Sequence, residues 1–202
     1  MLLCGGNVTS LLIRMSNKQD LTGRRRRLLY VVIPTISMVA ILVVVYGVYG
    51  LNNFQLQSKM DFVILMDSRN KGVEVEVYYE SPFNYRVIVY DMKGVSGDKS
   101  FADVFRVFLQ FAERMRDSDL DYVKLAYQGR VKYILMGEDF KLVGLQYSLG
   151  ENPVYIVRTF PEKLLLPNGR NAFPKWEGGL LAVTAKQLED FNTFMKTWLE
   201  LV

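Results

Sequence analysis

The chain contains no histidine and a single cysteine, Cys4. The first absence removes the commonest general base and the commonest metal ligand together. The second leaves everything after the tail without a possible intrachain disulfide, so a packed core has to supply its stability. An N-x-[ST] acceptor occurs at Asn7 and nowhere later, and no G-x-S-x-G turn presents a nucleophile. No repeat or low-complexity stretch marks a solenoid or a disordered chain. Charge is missing too: none falls between residues 28 and 51, and the next charged residue is Lys59.

That charge-free stretch, LLYVVIPTISMVAILVVVYGVYGL, organises the rest. Its 24 residues span roughly 36 Å as a helix, against a hydrocarbon core of about 30 Å. Fourteen of them are Leu, Ile or Val. At about −0.3 to −0.6 kcal/mol each, they favour insertion by on the order of −4 to −8 kcal/mol. A buried core helix keeps a polar face, and this stretch has none. Residues 28–51 are therefore predicted to be a transmembrane signal anchor, uncleaved because no small-residue cleavage site follows. Tyr30, Tyr46 and Tyr49 lie near its ends, where aromatic rings favour the interface. The tail, residues 1–27, has six basic residues against one acid, with Arg24, Arg25, Arg26 and Arg27 abutting the apolar run. The positive-inside rule then puts the tail in the cytoplasm and the C-terminus across the membrane. From Met15 onward the tail reads as an ordinary basic leader, and translation is expected to begin there.

The overall pI near 9.1 suggests nucleic acid at first sight. Past the apolar run, however, 19 Lys and Arg meet 20 Asp and Glu. The basic character belongs to the tail, so no nucleic-acid footprint remains for the main domain. The lack of disulfides and of glycosylation acceptors there points to a bacterial envelope. The expected location is the inner membrane, with a periplasmic domain.

Residues 52–59, NNFQLQSK, read as a short polar linker, and residues 60–202 as one α/β (α+β) domain expected to fold without the anchor. MDFVILM (60–66), VEVEVYYE (73–80) and YRVIVYD (85–91) are predicted as a three-stranded antiparallel meander, by alternation and β-formers. Ser100 through Arg116 carries an apolar stripe of Phe101, Val104, Phe105, Phe108, Phe111, Ala112 and Met115, a helix opened by Ser100 and Asp103. DYVKLAYQ (121–128), VKYILM (131–136) and PVYIVRTF (153–160) read as strands and GEDFKLVGLQY (137–147) as a short helix. A last helix starts at a capping pattern of Thr184 and Gln187. The predicted architecture is a mixed sheet of five or six strands carrying about three packed helices.

The chemistry-bearing patterns are weak. KGVSGDKS (93–100) sits where a phosphate loop would, but Asp98 intrudes before Lys99, and a capped helix start explains it better. Asp117, Asp119 and Asp121 mimic the first ligands of a calcium loop, but Tyr122 replaces its glycine and Gln128 its glutamate. Glu74, Glu76 and Glu80 lie on the polar face any half-buried strand needs, with Arg86 as a cross-strand partner. No catalytic residue, metal-ligand set or cofactor site is expected. Residues 161–183 exceed the length a connection requires, and such loops are often functional. There Arg170, Phe173 and Trp176 are the expected partner-binding tip, against the plainer account that the loop covers a sheet edge. The expected function is an interaction or assembly module of an envelope complex, with an envelope protein as partner. The alternative is a membrane-anchored enzyme or small-ligand binder with a pocket of carboxylates, tyrosines and arginines.

Overall fold

The computed structural model describes the backbone of residues 7–201, with side chains from Ile33 onward except Leu180. The expected start at Met15 and the side chains of Arg24, Arg25, Arg26 and Arg27 lie outside the described side chains, as does Cys4 altogether. The chain divides into two units, residues 1–47 and 48–202.

The described part of the first unit, from Asn7 on, is helix. It belongs to α1 (Asn7–Met66), which carries Pro34 in its interior. This is one helix near the N-terminus long and apolar enough to cross a membrane: its most apolar 18-residue window has a mean hydropathy of 2.0, and none of that window is buried. Ile33, Ile36, Val39, Val43 and Val44 are all exposed, so this is not the core helix of a globular domain. The Ser37 hydroxyl donates to the Ile33 carbonyl at 2.9 Å, which satisfies a polar group within its own helix.

The second unit is built on a five-stranded mixed sheet in the order β1-β2-β3-β4-β5. β1 (Val73–Ser81) and β2 (Asn84–Val95) form a hairpin closed at Pro82 and Phe83. α2 (Phe101–Arg114) crosses over to β3 (Tyr122–Tyr127), which runs parallel to β2. β3 turns into β4 (Arg130–Met136) through Gln128 and Gly129, with φ of 49° and 82°. Two left-handed residues give the turn whose twist matches paired strands, and Gly129 takes its half without strain. α3 (Gly137–Ser148), α4 (Pro153–Thr159), the short β5 (Leu164–Leu165) against β4, and α5 (Leu180–Trp198) complete the unit.

Register decides which sheet face is core. Ile88, Tyr90 and Met92 of β2 are fully buried, beside Val77 of β1 and Val123 and Leu125 of β3. Against them pack Phe105, Phe108 and Phe111 of α2, Phe140 of α3, Phe160 after α4, and Phe194 and Trp198 of α5. Rings meet edge-on at Tyr90–Phe108 (5.3 Å) and Phe105–Phe160 (4.9 Å), and the Trp198 indole donates to the Ala126 carbonyl at 3.0 Å. Gly144 lets α3 approach α2: a Cβ there would lie 2.4 Å from the Ala112 carbonyl oxygen. The alternate register mixes buried Val87 and Val89 of β2 with charge, Lys93 bridging buried Asp91 and Glu76, and Lys124 pairing with Glu80.

The end of α1 departs most from expectation. Residues 52–59 are not a linker and 60–66 are not a strand; both are helix, and the meander reduces to the β1–β2 hairpin. Leu56, Met60 and Val63 are buried at helical spacing. The polar residues between them serve the sheet edge. Val77 donates its amide to Gln57 Oε1 (2.8 Å), and Gln57 Nε2 donates to the Val75 carbonyl (3.2 Å). Tyr79 donates its amide to Asn53 Oδ1 (2.8 Å) and accepts the Tyr49 hydroxyl at its carbonyl (2.5 Å). Four helical residues rise about 6 Å and two strand residues about 6.7 Å. Side chains at 49, 53 and 57 therefore step down β1 in time with its outward-facing backbone groups. An edge strand left open is a template for aggregation, and here α1 covers it. The folded unit accordingly begins at Val48 rather than at residue 60, and a fragment cut at Lys59 would lose Tyr49, Asn53, Leu56 and Gln57.

Two further corrections have local causes. The expected strand at 153–160 is instead α4 (Pro153–Thr159), because Asn152 caps the Val154 amide and Pro153 occupies the first turn, a start signal that outweighs β-branched content. α5 begins at Leu180, four residues before the expected cap. The Thr184 hydroxyl instead accepts from Arg158 (2.7 Å), and Gln187 donates to Glu162 (2.6 Å). The helices packed on the sheet thus number four besides the end of α1, one more than expected.

Candidate functional site

The acidic patterns resolve into ion pairs. Arg86 does not face the glutamates of β1. It reaches Asp119 at 2.5 Å and Asp121 at 2.8 Å, and its hydrogen bond holds the Asp121 carboxyl below the usual carboxylate range. Glu76 accepts from Lys93, and Glu80 from Lys124. Among the described residues no group of three or more His, Cys, Asp or Glu could hold a metal ion. In KGVSGDKS the Ser100 hydroxyl accepts from the Asp103 amide (3.2 Å), while Asp103 accepts from the Ser100 amide (3.0 Å). This reciprocal cap uses the donors an anion would need.

The 161–183 loop does not present its three residues together. Phe173 is 8% exposed, packed against the Tyr133 ring at 6.0 Å, and belongs to the core. Its predicted place on the surface is therefore corrected. Trp176 is half-buried against α5, donating its indole N–H to Asp190 (2.6 Å) beneath the Lys186 ammonium (4.1 Å). Arg170 is exposed, its carbonyl accepting from the Leu166 amide at 2.8 Å in a tight turn. The loop covers the β5 edge, with Asn171 bridging Leu165.

Two features that sequence reasoning missed stand out instead. One is a groove of about 620 Å³ lined by Phe62 and Met66 of α1, Gln110 and Arg114 of α2, Asp67, and Tyr147 of α3. Its wall is a hydrogen-bonded network. Asp67 accepts from the Arg69 guanidinium (2.6 Å) and from Gln110 (3.3 Å). Buried Asn70 donates to the Val63 carbonyl (2.8 Å) and to Gln110 (2.6 Å). The Arg69 hydrogen bond keeps the Asp67 carboxyl well below the usual range, so it is an anion already matched to a cation. The Arg114 guanidinium lies over the Phe62 ring at 4.1 Å. Reading 60–66 as a strand hid this groove.

The other is the outer face of α3. Phe140, Val143 and Gly144 point inward and are buried, while Leu142, Leu145 and Leu149 are 42%, 43% and 76% exposed. The signal was present in the sequence, since apolar residues occupy both faces of that helix. Val154 and Tyr155 on neighbouring α4 are exposed as well.

No family model matches the chain, and neither the curated proteins nor the solved structures contain a significant match.

Proposed function

We propose that this chain is a single-pass membrane protein of the bacterial inner membrane, whose periplasmic α/β domain is an interaction module in an envelope complex. The anchor is the apolar part of α1, and the basic tail keeps the N-terminus in the cytoplasm. The observation that carries the interaction reading is the leucine row on α3. Three large apolar side chains left in water along one helix face are what a protein partner would cover, and an α3 made only for packing would be polar there. The partner is a protein with a complementary apolar surface. A photoreactive residue at Leu145 in intact cells is expected to give adducts heavier than the chain. Leu149→Asp in the same chain should abolish them without loss of stability, because that side chain is mostly in water. Adducts absent from positions 142, 145 and 149 alike would remove the reading. Orientation has its own test: a reporter active only outside the cytoplasm, fused after Val202, should be active, and an inactive fusion would reverse the topology.

The groove beside Phe62 supports a second reading, a small-ligand site, because its volume lies in the range such ligands occupy. Arg114 and Tyr147 would be its polar contacts, and loss of a captured metabolite on Arg114→Ala would move the assignment there.

A further inference from the structure

Residues 48–51 belong both to the apolar run and to the folded unit, so the bilayer surface has to meet that unit where they stand. We infer that the β1–β2 hairpin tip is a second membrane contact, with Phe83 inserted into the outer interface of the bilayer that holds the apolar helix; this rests on the membrane-anchor reading above. Three observations carry it. First, β1 is tied antiparallel to α1: Gln57 meets Val75 and Val77, whereas Asn53 and Tyr49 meet Tyr79. Following β1 toward its end therefore means following α1 back toward its apolar run. From Tyr79 to the closing pair Ser81 and Asn84 is two residues, about 7 Å of strand. The tip thus reaches past the plane of the Tyr49 hydroxyl by about the depth of one interfacial layer, roughly 5–7 Å.

Second, the tip, Ser81-Pro82-Phe83-Asn84, carries a large aromatic where solvent would favour a polar residue. Phe83 is 78% exposed, and no packing within the domain accounts for it. Tyr79 and Tyr85 stand edge-to-face behind it at 5.0 Å, and tyrosine is a residue of membrane interfaces. Third, the turns at the opposite end of the sheet are polar: Lys71 before β1, Ser96, Gly97 and Asp98 after β2, and Gln128, Gly129 and Arg130 between β3 and β4 are exposed there. Two basic side chains near the tip are paired, Arg86 with Asp119 and Asp121, and Lys124 with Glu80.

The test uses the full chain, purified and reconstituted alone into phosphatidylcholine–phosphatidylglycerol vesicles, with benzoylphenylalanine placed singly at Phe83, Gly97 or Val43. The aromatic replacement preserves the character of residue 83, and that side chain is exposed, so folding is not at stake. The readout is a mass increase of one lipid after illumination. Lipid adducts are expected at 43 and 83 and not at 97. Adducts at 43 alone would overturn the hairpin contact and leave the anchor standing. A chain-to-chain adduct at 83 would also overturn it, giving the tip to a second copy. No lipid adduct at 43 would remove the anchor reading itself, and the hairpin contact with it.

Discussion

α2 and the last turns of α1 lie against the same sheet, yet they are held by different means. α2 buries a continuous apolar face, Val104, Phe105, Phe108, Phe111 and Ala112, beneath a reciprocal cap at Ser100. The last turns of α1 bury three residues, Leu56, Met60 and Val63, and are otherwise attached through Tyr49, Asn53 and Gln57, bonded to the backbone of β1. An apolar face contributes wherever it is excluded from water. A polar ladder contributes only if the spacing of its partner is right. α2 therefore announces itself in its own sequence, while α1's final turns make sense only beside β1.

The sharpest way to break the comparison is to empty each attachment in turn. Phe108 is fully buried and touches Tyr90, Phe105, Phe140, Phe160 and Trp198. Phe108→Ala is expected to destabilise the full chain in detergent by roughly 3–5 kcal/mol, the cost of a large cavity in a close-packed core. Denaturant unfolding followed through Trp198 measures it. A loss below about 1 kcal/mol would mean that α2's stripe is not the centre of the core.

Gln57→Ala should cost less. It removes two hydrogen bonds to β1, each worth about 0.5–1.5 kcal/mol net, so a loss of roughly 1–3 kcal/mol is expected. Hydrogen exchange gives the more specific readout, because the Val77 amide is bonded to Gln57. That amide should exchange faster in the variant while the β3 amides remain protected. Unchanged protection at Val77 would mean that the ladder does not persist in solution.

The same contrast explains what was legible beforehand. α2, its cap, α3 and strands β1 to β4 follow from periodicity and capping residues, which are local signals; β5 was not expected, and two expected strands are helix. Asn53 and Gln57 looked like linker residues because their partners, the amides of Tyr79 and Val77, carry no side-chain signature and lie more than 19 positions away. Residues 60–66 are apolar at nearly every position, and a short apolar run has no period to separate strand from helix. The groove at Phe62 inherited that ambiguity. Phe173 was misplaced for another reason: a long loop rich in proline and glycine can still deliver one aromatic to the core, and composition does not say which. The α3 leucines were visible but had no reason to be singled out until Phe140 and Val143 were seen to face inward.

Ser100→Ala removes the side-chain half of α2's cap and should cost about 1 kcal/mol. It sharpens the comparison because α1's end is closed differently, by Asp67 capping the short turn Ser68–Asn70 through the Arg69 amide.

The smallest expected effect concerns pH, and both helices take part in it. The Ser100 hydroxyl, then the Ser100 amide and Arg106, hold the Asp103 carboxyl well below its ordinary value. The Arg69 guanidinium does the same for Asp67. A carboxylate with a depressed folded pKa adds stability that is complete above its unfolded value, about 3.9, and is lost as pH falls through the folded value. Lys93 has the opposite sign: Asp91, then Glu76, raise it, so its contribution is complete below its unfolded value of about 10.4 and fades as pH rises beyond. With no histidine in the chain, urea midpoints should be level from about pH 5 to 8 and fall only below about 4 and above about 10. Asp103→Asn should flatten the α2 share of the acid limb, and Asp67→Asn the share at the end of α1. Neither should alter the alkaline limb, which Lys93→Met should reduce. A midpoint change centred between pH 5 and 8 would require a titrating group other than these, and an acid limb untouched by both asparagine variants would mean that the two caps are not what acid dismantles.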